Sequence, residues 1–253
     1  MFAVTAIVAT ICVFLPRIPQ PQSYHSFADQ RSLFGIPNFG DVVSNLPFAG
    51  IGLLGISFVL RSRPGSASGY FLDSRERWPY LVAFVGILLT AFGSSYYHLD
   101  PNNARLVWDR LPIMVAFTAT AAALITERVQ IRVGLLLLPV LLTAGIASVL
   151  QWYASELHGA GDLRFYAAVQ AGSALVLLIV LLFPARYSRG SDLAIVVGLY
   201  ALAKALELLD KPIFRAGHLV SGHTLKHLAA AAAGYWLLRM LQMRQPIGDP
   251  GAR

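Results

Sequence analysis

The run Tyr80-Leu81-Val82-Ala83-Phe84-Val85-Gly86-Ile87-Leu88-Leu89-Thr90-Ala91-Phe92-Gly93-Ser94-Ser95-Tyr96-Tyr97-His98 carries no acid, lysine or arginine over 19 residues and closes on an imidazole. At 1.5 Å per residue a helix of that length covers about 30 Å, the thickness of a bilayer's hydrocarbon layer. The other polar stretch that reads the same way opens an apolar run instead of closing one, as His223-Thr224-Leu225-Lys226-His227 ahead of residues 228–241. Residues four apart on a helix differ by about 40° around the axis and about 6 Å along it, so His223 and His227 can share one ion. Ser94 and His98 have the same spacing. Three neutral imidazoles and a water make a catalytic zinc arrangement, because three protein ligands leave a fourth position open.

Working outward, apolar stretches fall at 42–60, 79–98, 106–126, 131–150, 165–183, 193–209 and 220–241, each of 17 to 22 residues, with a shorter one at 2–15. The chain therefore reads as an all-α membrane protein, a bundle of seven transmembrane helices with an additional short N-terminal apolar segment. Residues 1–41 form that segment and a loop, 42–241 the transmembrane domain and 242–253 a short polar tail. The stretch at 2–15 lacks a positive leading region and a small-x-small cleavage site, so it reads as retained. Composition agrees: 56% of residues are hydrophobic and 13% charged, with a mean hydropathy of +0.60, against about a quarter charged in soluble domains. The lone Cys12 allows no intramolecular disulfide. A net charge of +7 could suggest nucleic acid, but the basic residues sit in short loops, where cytoplasmic loops and acidic lipid headgroups explain them and nucleic acid does not.

Of the 20 lysines and arginines, eleven lie in the tail and the loops after the odd-numbered long segments and seven on the opposite side. The positive-inside rule then expects a cytoplasmic C-terminus. His98 ends an even-numbered segment and His223 and His227 begin an odd-numbered one, so all three are expected on the non-cytoplasmic face. Asp109, at the start of the next segment after His98, belongs to the same layer. It reads either as an interface charge paired with Arg110 or as the base that takes a proton from a metal-activated water. His25, His158 and His218 lack partners and read as water-facing. Lys226 lies off the ligand face and reads as snorkelling or paired with an acid, while Lys204, Glu207 and Asp210, spaced by three, read as an ion-pair stripe.

Ser-x3-His at the end of one span, Asp at the start of the next and His-x3-His in the last of seven resemble the alkaline ceramidase family of seven-helix membrane hydrolases. Phe92-Gly93-Ser94-Ser95-Tyr96-Tyr97-His98 and Ser221-Gly222-His223-Thr224-Leu225-Lys226-His227 are similar to its bacterial members, and the segment order extends the likeness from residue 29 onward. The resemblance implies a bacterial inner-membrane enzyme holding zinc on His98, His223 and His227. Ser94 and Asp109 would assist hydrolysis of ceramide or another N-acyl membrane lipid to a fatty acid and an amino lipid. The same residue types recur in the progestin and adiponectin receptor-like group, so a receptor or sensor with a structural metal is the alternative, and a transporter ranks last. The family also carries calcium before its first span. Here Asn38-Phe39-Gly40-Asp41-Val42-Val43-Ser44-Asn45 resembles that stretch, and Asp29, Asn38 and Asp41 are the residues it implies. Asp41 reads equally as a cap for the first long helix.

Overall fold

The structure is a computed structural model that describes residues 10, 14–62 and 70–247. The apolar segment expected at 2–15 lies outside the described residues except for 10, 14 and 15. Among the described residues the chain is helical without β-strands: α1 (Phe39–Val43), α2 (Leu46–Arg61), α3 (Arg77–Leu99), α4 (Asn103–Arg128), α5 (Ile131–Leu157), α6 (Arg164–Val180), α7 (Asp192–Leu208), α8 (Asp210–Gly217) and α9 (Gly222–Met243). Every long apolar stretch read from the sequence is a helix. Four stretches, Phe39–Arg61, Ser74–Leu99, Asn103–Arg128 and Ile131–Leu157, are long and apolar enough to cross a membrane, and α6 is apolar but shorter. The short α8 was not anticipated.

Helix α3 packs between α2 and α4, α4 against α5 and α6, and α9 against α7 and α2. Phe48, Ile51, Phe84, Ile87, Leu237 and Leu241 join in one core, while Phe27, Tyr97, Leu106, Met114 and Trp152 form a second beside the site. Outward-facing leucines and valines stay bare, with Leu136 73% and Val140 59% exposed. A run of apolar side chains left on the outer faces of long helices suits hydrocarbon surroundings better than water.

The helices approach most closely where glycine removes the side chain. A methyl built on Gly93 would stand 2.0 Å from the carbonyl oxygen of Trp108, so α3 and α4 touch backbone to backbone one residue before Ser94 and one before Asp109. A methyl on Gly222 would meet the Leu206 carbonyl oxygen at 2.4 Å, which seats the start of α9 on the end of α7. At the other end of the bundle the buried Arg244 pairs with Glu127, which also accepts from the Tyr80 hydroxyl at 2.8 Å. The guanidinium stacks 3.9 Å over the Tyr187 ring.

Gly93→Ala should lower stability by about 1–3 kcal/mol, because backbone must move. Gly172→Ala in α6, where a methyl meets nothing within 4 Å, should be neutral or gain up to about 1 kcal/mol from helix propensity. Thermal unfolding in detergent of both variants checks this, and equal shifts would remove the close approach as the reason for Gly93.

Candidate metal centre

His98 is the next-to-last residue of α3, and His223 and His227 occupy the first two turns of α9. Ser221 starts that helix by accepting the Thr224 amide on its hydroxyl at 2.9 Å, a cap that fixes where the helical spacing begins. The three imidazoles are buried and nearly equidistant: ring centroids lie 4.9 Å apart for His98 and His223, 4.9 Å for His98 and His227, and 4.8 Å for His223 and His227. One nitrogen from each ring lies within 4.8 Å of the others. Among the described residues this is the group of histidine, cysteine and carboxylate side chains that can hold a metal ion.

The surroundings orient the rings. The Ser44 hydroxyl lies 3.1 Å from the Asp41 carbonyl oxygen and 2.8 Å from His227 Nδ1, so the serine holds the ring by its Nδ1 edge. That leaves Nε2 for a ligand, the usual arrangement when a second residue fixes a ligating histidine. Asn38 donates to the His98 carbonyl oxygen at 2.8 Å, and Asp210 accepts the His223 amide at 2.9 Å. The Phe27 ring covers His98 and His223 at 4.6 and 4.5 Å. His98 Nδ1 is buried without a hydrogen-bond partner. A set of three imidazoles whose nitrogens converge, one orphaned atom included, fits an imidazole-preferring ion such as zinc, copper, nickel or iron.

Ser94, one turn before His98 on α3, and Asp109 on α4 are both buried, and each follows one of the residues at which the two helices touch, Gly93 and Trp108. The ion pair considered between Asp109 and Arg110 does not form. Arg110 instead lies between the rings of Trp152 and Tyr166, at 4.1 and 4.6 Å, and donates to Gln20 Oε1 at 2.6 Å. Its planar guanidinium gains more from two aromatic faces than from the carboxylate of the preceding residue, which points about 100° away around the same helix.

The residues implied for calcium make contacts of their own, with Asp41 Oδ2 buried and without a hydrogen-bond partner. Asp29 accepts Arg31 Nε and NH2 at 2.7 Å each, and this guanidinium holds the Asp29 carboxyl below the usual carboxylate range. Arg31 also donates to the carbonyl oxygens of His218 and Leu219. Asp41 does not cap the first long helix. It lies inside α1, and its Oδ1 accepts Thr224 Oγ1 at 2.7 Å and Ser221 Oγ at 3.2 Å. Asn38 spends its amide on His98. Of the other polar residues read from sequence, Lys226 pairs with Glu207 at 2.9 Å and reaches His223 Nε2 at 3.2 Å. Lys204 also pairs with Glu207, but Asp210 leaves that stripe to accept the amides of His223 and Ala28. His25 is not simply water-facing, since it bonds the Tyr97 hydroxyl and Asn103 Oδ1 at 2.9 and 2.8 Å.

Phe27, Ser44 and Tyr24, the last within 3.4 Å of Glu207 Oε1, had no signal in the sequence, because they come from segments with no periodic relation to the histidines. No protein-family model and no curated protein matches this chain.

Purified protein should carry about one transition-metal ion per chain, and His98→Ala, His223→Ala or His227→Ala should remove it. Ser44→Ala should keep the fold and weaken the metal by about 10–100-fold, the usual cost of losing an outer partner. Elemental analysis and competition with a chelator measure both, and full occupancy in a variant lacking His223 and His227 would sink the assignment.

Proposed function

We propose that this chain is a seven-span membrane hydrolase that uses zinc to cleave the amide bond of an N-acyl lipid. The observation that carries this reading is the Ser94 and Asp109 pair beside three converging imidazoles, on helices whose outer faces are apolar. Zinc held by His98, His223 and His227 would supply Lewis acidity, activating a water and polarising the amide carbonyl.

The protein groups supply the rest. Asp109 accepts one proton of the attacking water as its oxygen bonds to the acyl carbon. The Ser94 hydroxyl turns from Asp109 to the developing oxyanion. As the C–N bond breaks, Asp109 returns the proton to the departing nitrogen, and the products are a fatty acid and an amine. The Phe27 ring keeps bulk water from the triad, which strengthens each of these interactions. The acyl chain enters sideways from the bilayer, between helices that already face hydrocarbon. The short apolar helices α6 and α7 and the polar-ended α9 complete the seven spans, with the site toward the non-cytoplasmic leaflet and the C-terminus in the cytoplasm.

Asp109→Asn and Ser94→Ala should both keep metal and thermal stability yet lose hydrolysis of a fluorescent N-acyl lipid, the serine change by about 10²–10³-fold as for other oxyanion donors. Unaltered turnover in both would leave the metal without helpers. For the orientation, single cysteines at Asn102 and Gly217, with Cys12 replaced, should react with an impermeant thiol reagent outside intact cells, and one at Pro184 should not. The reverse pattern would move the site to the cytoplasmic leaflet.

A further inference from the structure

Helix α7 packs along α9, and among the described residues no comparable contact joins it to α6, its predecessor in the chain. The two meet at the end away from the triad, where Val176, Leu177 and Val180 of α6 share one apolar cluster with Leu193 and Val196 of α7. Toward the triad they part, and α7 faces α4 instead. That approach is visible at two depths. Near the triad Tyr24 spans it, with the Arg110 guanidinium of α4 5.7 Å from the centre of its ring and Glu207 Oε1 of α7 3.4 Å from its hydroxyl. Deeper in the bundle Phe117 of α4 and Tyr200 of α7 meet directly, edge to face, with ring centroids 4.9 Å apart.

The sequence sets the height between these two crossings. Phe117 follows Arg110 by seven residues and Tyr200 precedes Glu207 by seven, and α4 runs away from the triad while α7 runs back toward it. Seven residues are about two turns, so each pair shares a helix face to within about 20° and is separated by about 10 Å along the axis. Ile113, Phe117 and Thr120 share one face of α4 and stay half-buried, although α3, α5 and α6 wall that helix on other sides. The Thr120 hydroxyl is spent on the Ala116 carbonyl oxygen of its own helix at 2.7 Å, so this wall is apolar. A roof of Tyr24, a floor of two rings and a parting between α6 and α7 describe a slot for a hydrocarbon chain.

We propose that Phe117 and Tyr200 close the acyl channel and so set the length of the acyl group that the site accepts. This rests on the hydrolase reading above. An extended chain advances about 1.25 Å per carbon, so an acyl group whose carbonyl stands at the triad reaches the rings after about eight carbons. An edge-to-face pair holds itself shut. A longer chain must bend out between α6 and α7 and leave its tail in the bilayer, where it gains nothing from the protein.

The test compares N-octanoylethanolamine with N-tetradecanoylethanolamine, measured by calorimetry on the metal-free full chain in a neutral detergent. Their affinity ratio, compared between variant and wild type, cancels the partition of each lipid into micelles. Phe117→Ala and Tyr200→Ala should each shift the ratio about tenfold toward the longer chain, as for burying two further methylenes. Tyr200→Phe, which keeps the ring, should keep the wild-type ratio. Alanine variants that melt at the wild-type temperature with an unchanged ratio overturn the proposal, as does an equal shift in Tyr200→Phe or a wild type that binds neither lipid. If the alanine variants do not fold, Phe117→Leu and Tyr200→Leu remove the rings and keep apolar volume, and a ratio that neither moves toward the longer chain overturns it. Cleavage is then followed with zinc added and should favour the octanoyl lipid. Cleavage of neither, with the ratio still responding to the variants, would sink the hydrolase reading and leave the ring stop standing. Cleavage of both at the same relative rate in wild type and variants would sink the ring stop and leave the hydrolase reading.

Discussion

The backbone contact between Gly93 and the Trp108 carbonyl sets the distance between α3 and α4, and the site depends on it. With a side chain at Gly93 the helices would separate, and Ser94 and Asp109, which each follow a contact residue, would move apart. The short connection from Asp100 helps hold the register, because Asn102 accepts the Arg105 amide at 3.0 Å and starts α4 at once. A second close approach, Gly222 on the end of α7, does the same for the other half of the triad. Two positions without side chains thus fix the depth of every polar group in the centre.

The segment before α2 contributes no ring nitrogen to the triad, yet it holds all three histidines in place. Phe27 covers two of them, Asn38 ties down the carbonyl of His98, and Ser44 holds the Nδ1 edge of His227. Asp41 reaches across to Ser221 and Thr224 at the head of α9, and Arg31 joins Asp29 to the carbonyls that close the turn after α8. In an apolar bundle such partners come chiefly from the protein. The segment is therefore a clamp on the ends of α3 and α9.

What could be read from the sequence follows from where the physical rules act. Helical spacing is a property of one element, so the pairing of His223 with His227 and of Ser94 with His98 was legible, and the parity of the segments brought the two halves to one face. The reach of a side chain to another element obeys no period. Asp41 looked like a cap because it precedes a long helix, but its carboxylate went to hydroxyls on α9. Asp210 looked like the end of an ion-pair stripe, but two backbone amides without other acceptors claimed it. Arg110 stands next to Asp109 in sequence and bonds elsewhere, since adjacent residues on a helix point about 100° apart. The length of α8 was hidden because its eight residues carry too little apolar surface to stand out.

Both ends of the bundle bury arginines among aromatic rings, and they differ in what the acids hold. At the end away from the triad, Arg244 has Glu127 to itself, the Tyr80 hydroxyl supports the same carboxylate, and Arg186 and the Tyr187 hydroxyl answer Glu76. Each acid there has its own base, which is what a structural ion pair needs to repay its desolvation. The same end also buries an arginine answered by backbone alone, since Arg128 donates to the carbonyl oxygens of Val180, Phe183 and Gly190. Beside the triad Glu207 serves two lysines, and Arg110 has rings and the Gln20 amide in place of an acid. Around the three imidazoles the carboxylates of Asp41 and Asp210 instead hold hydroxyls and backbone amides, which fixes the end of the helix that carries two of the histidines.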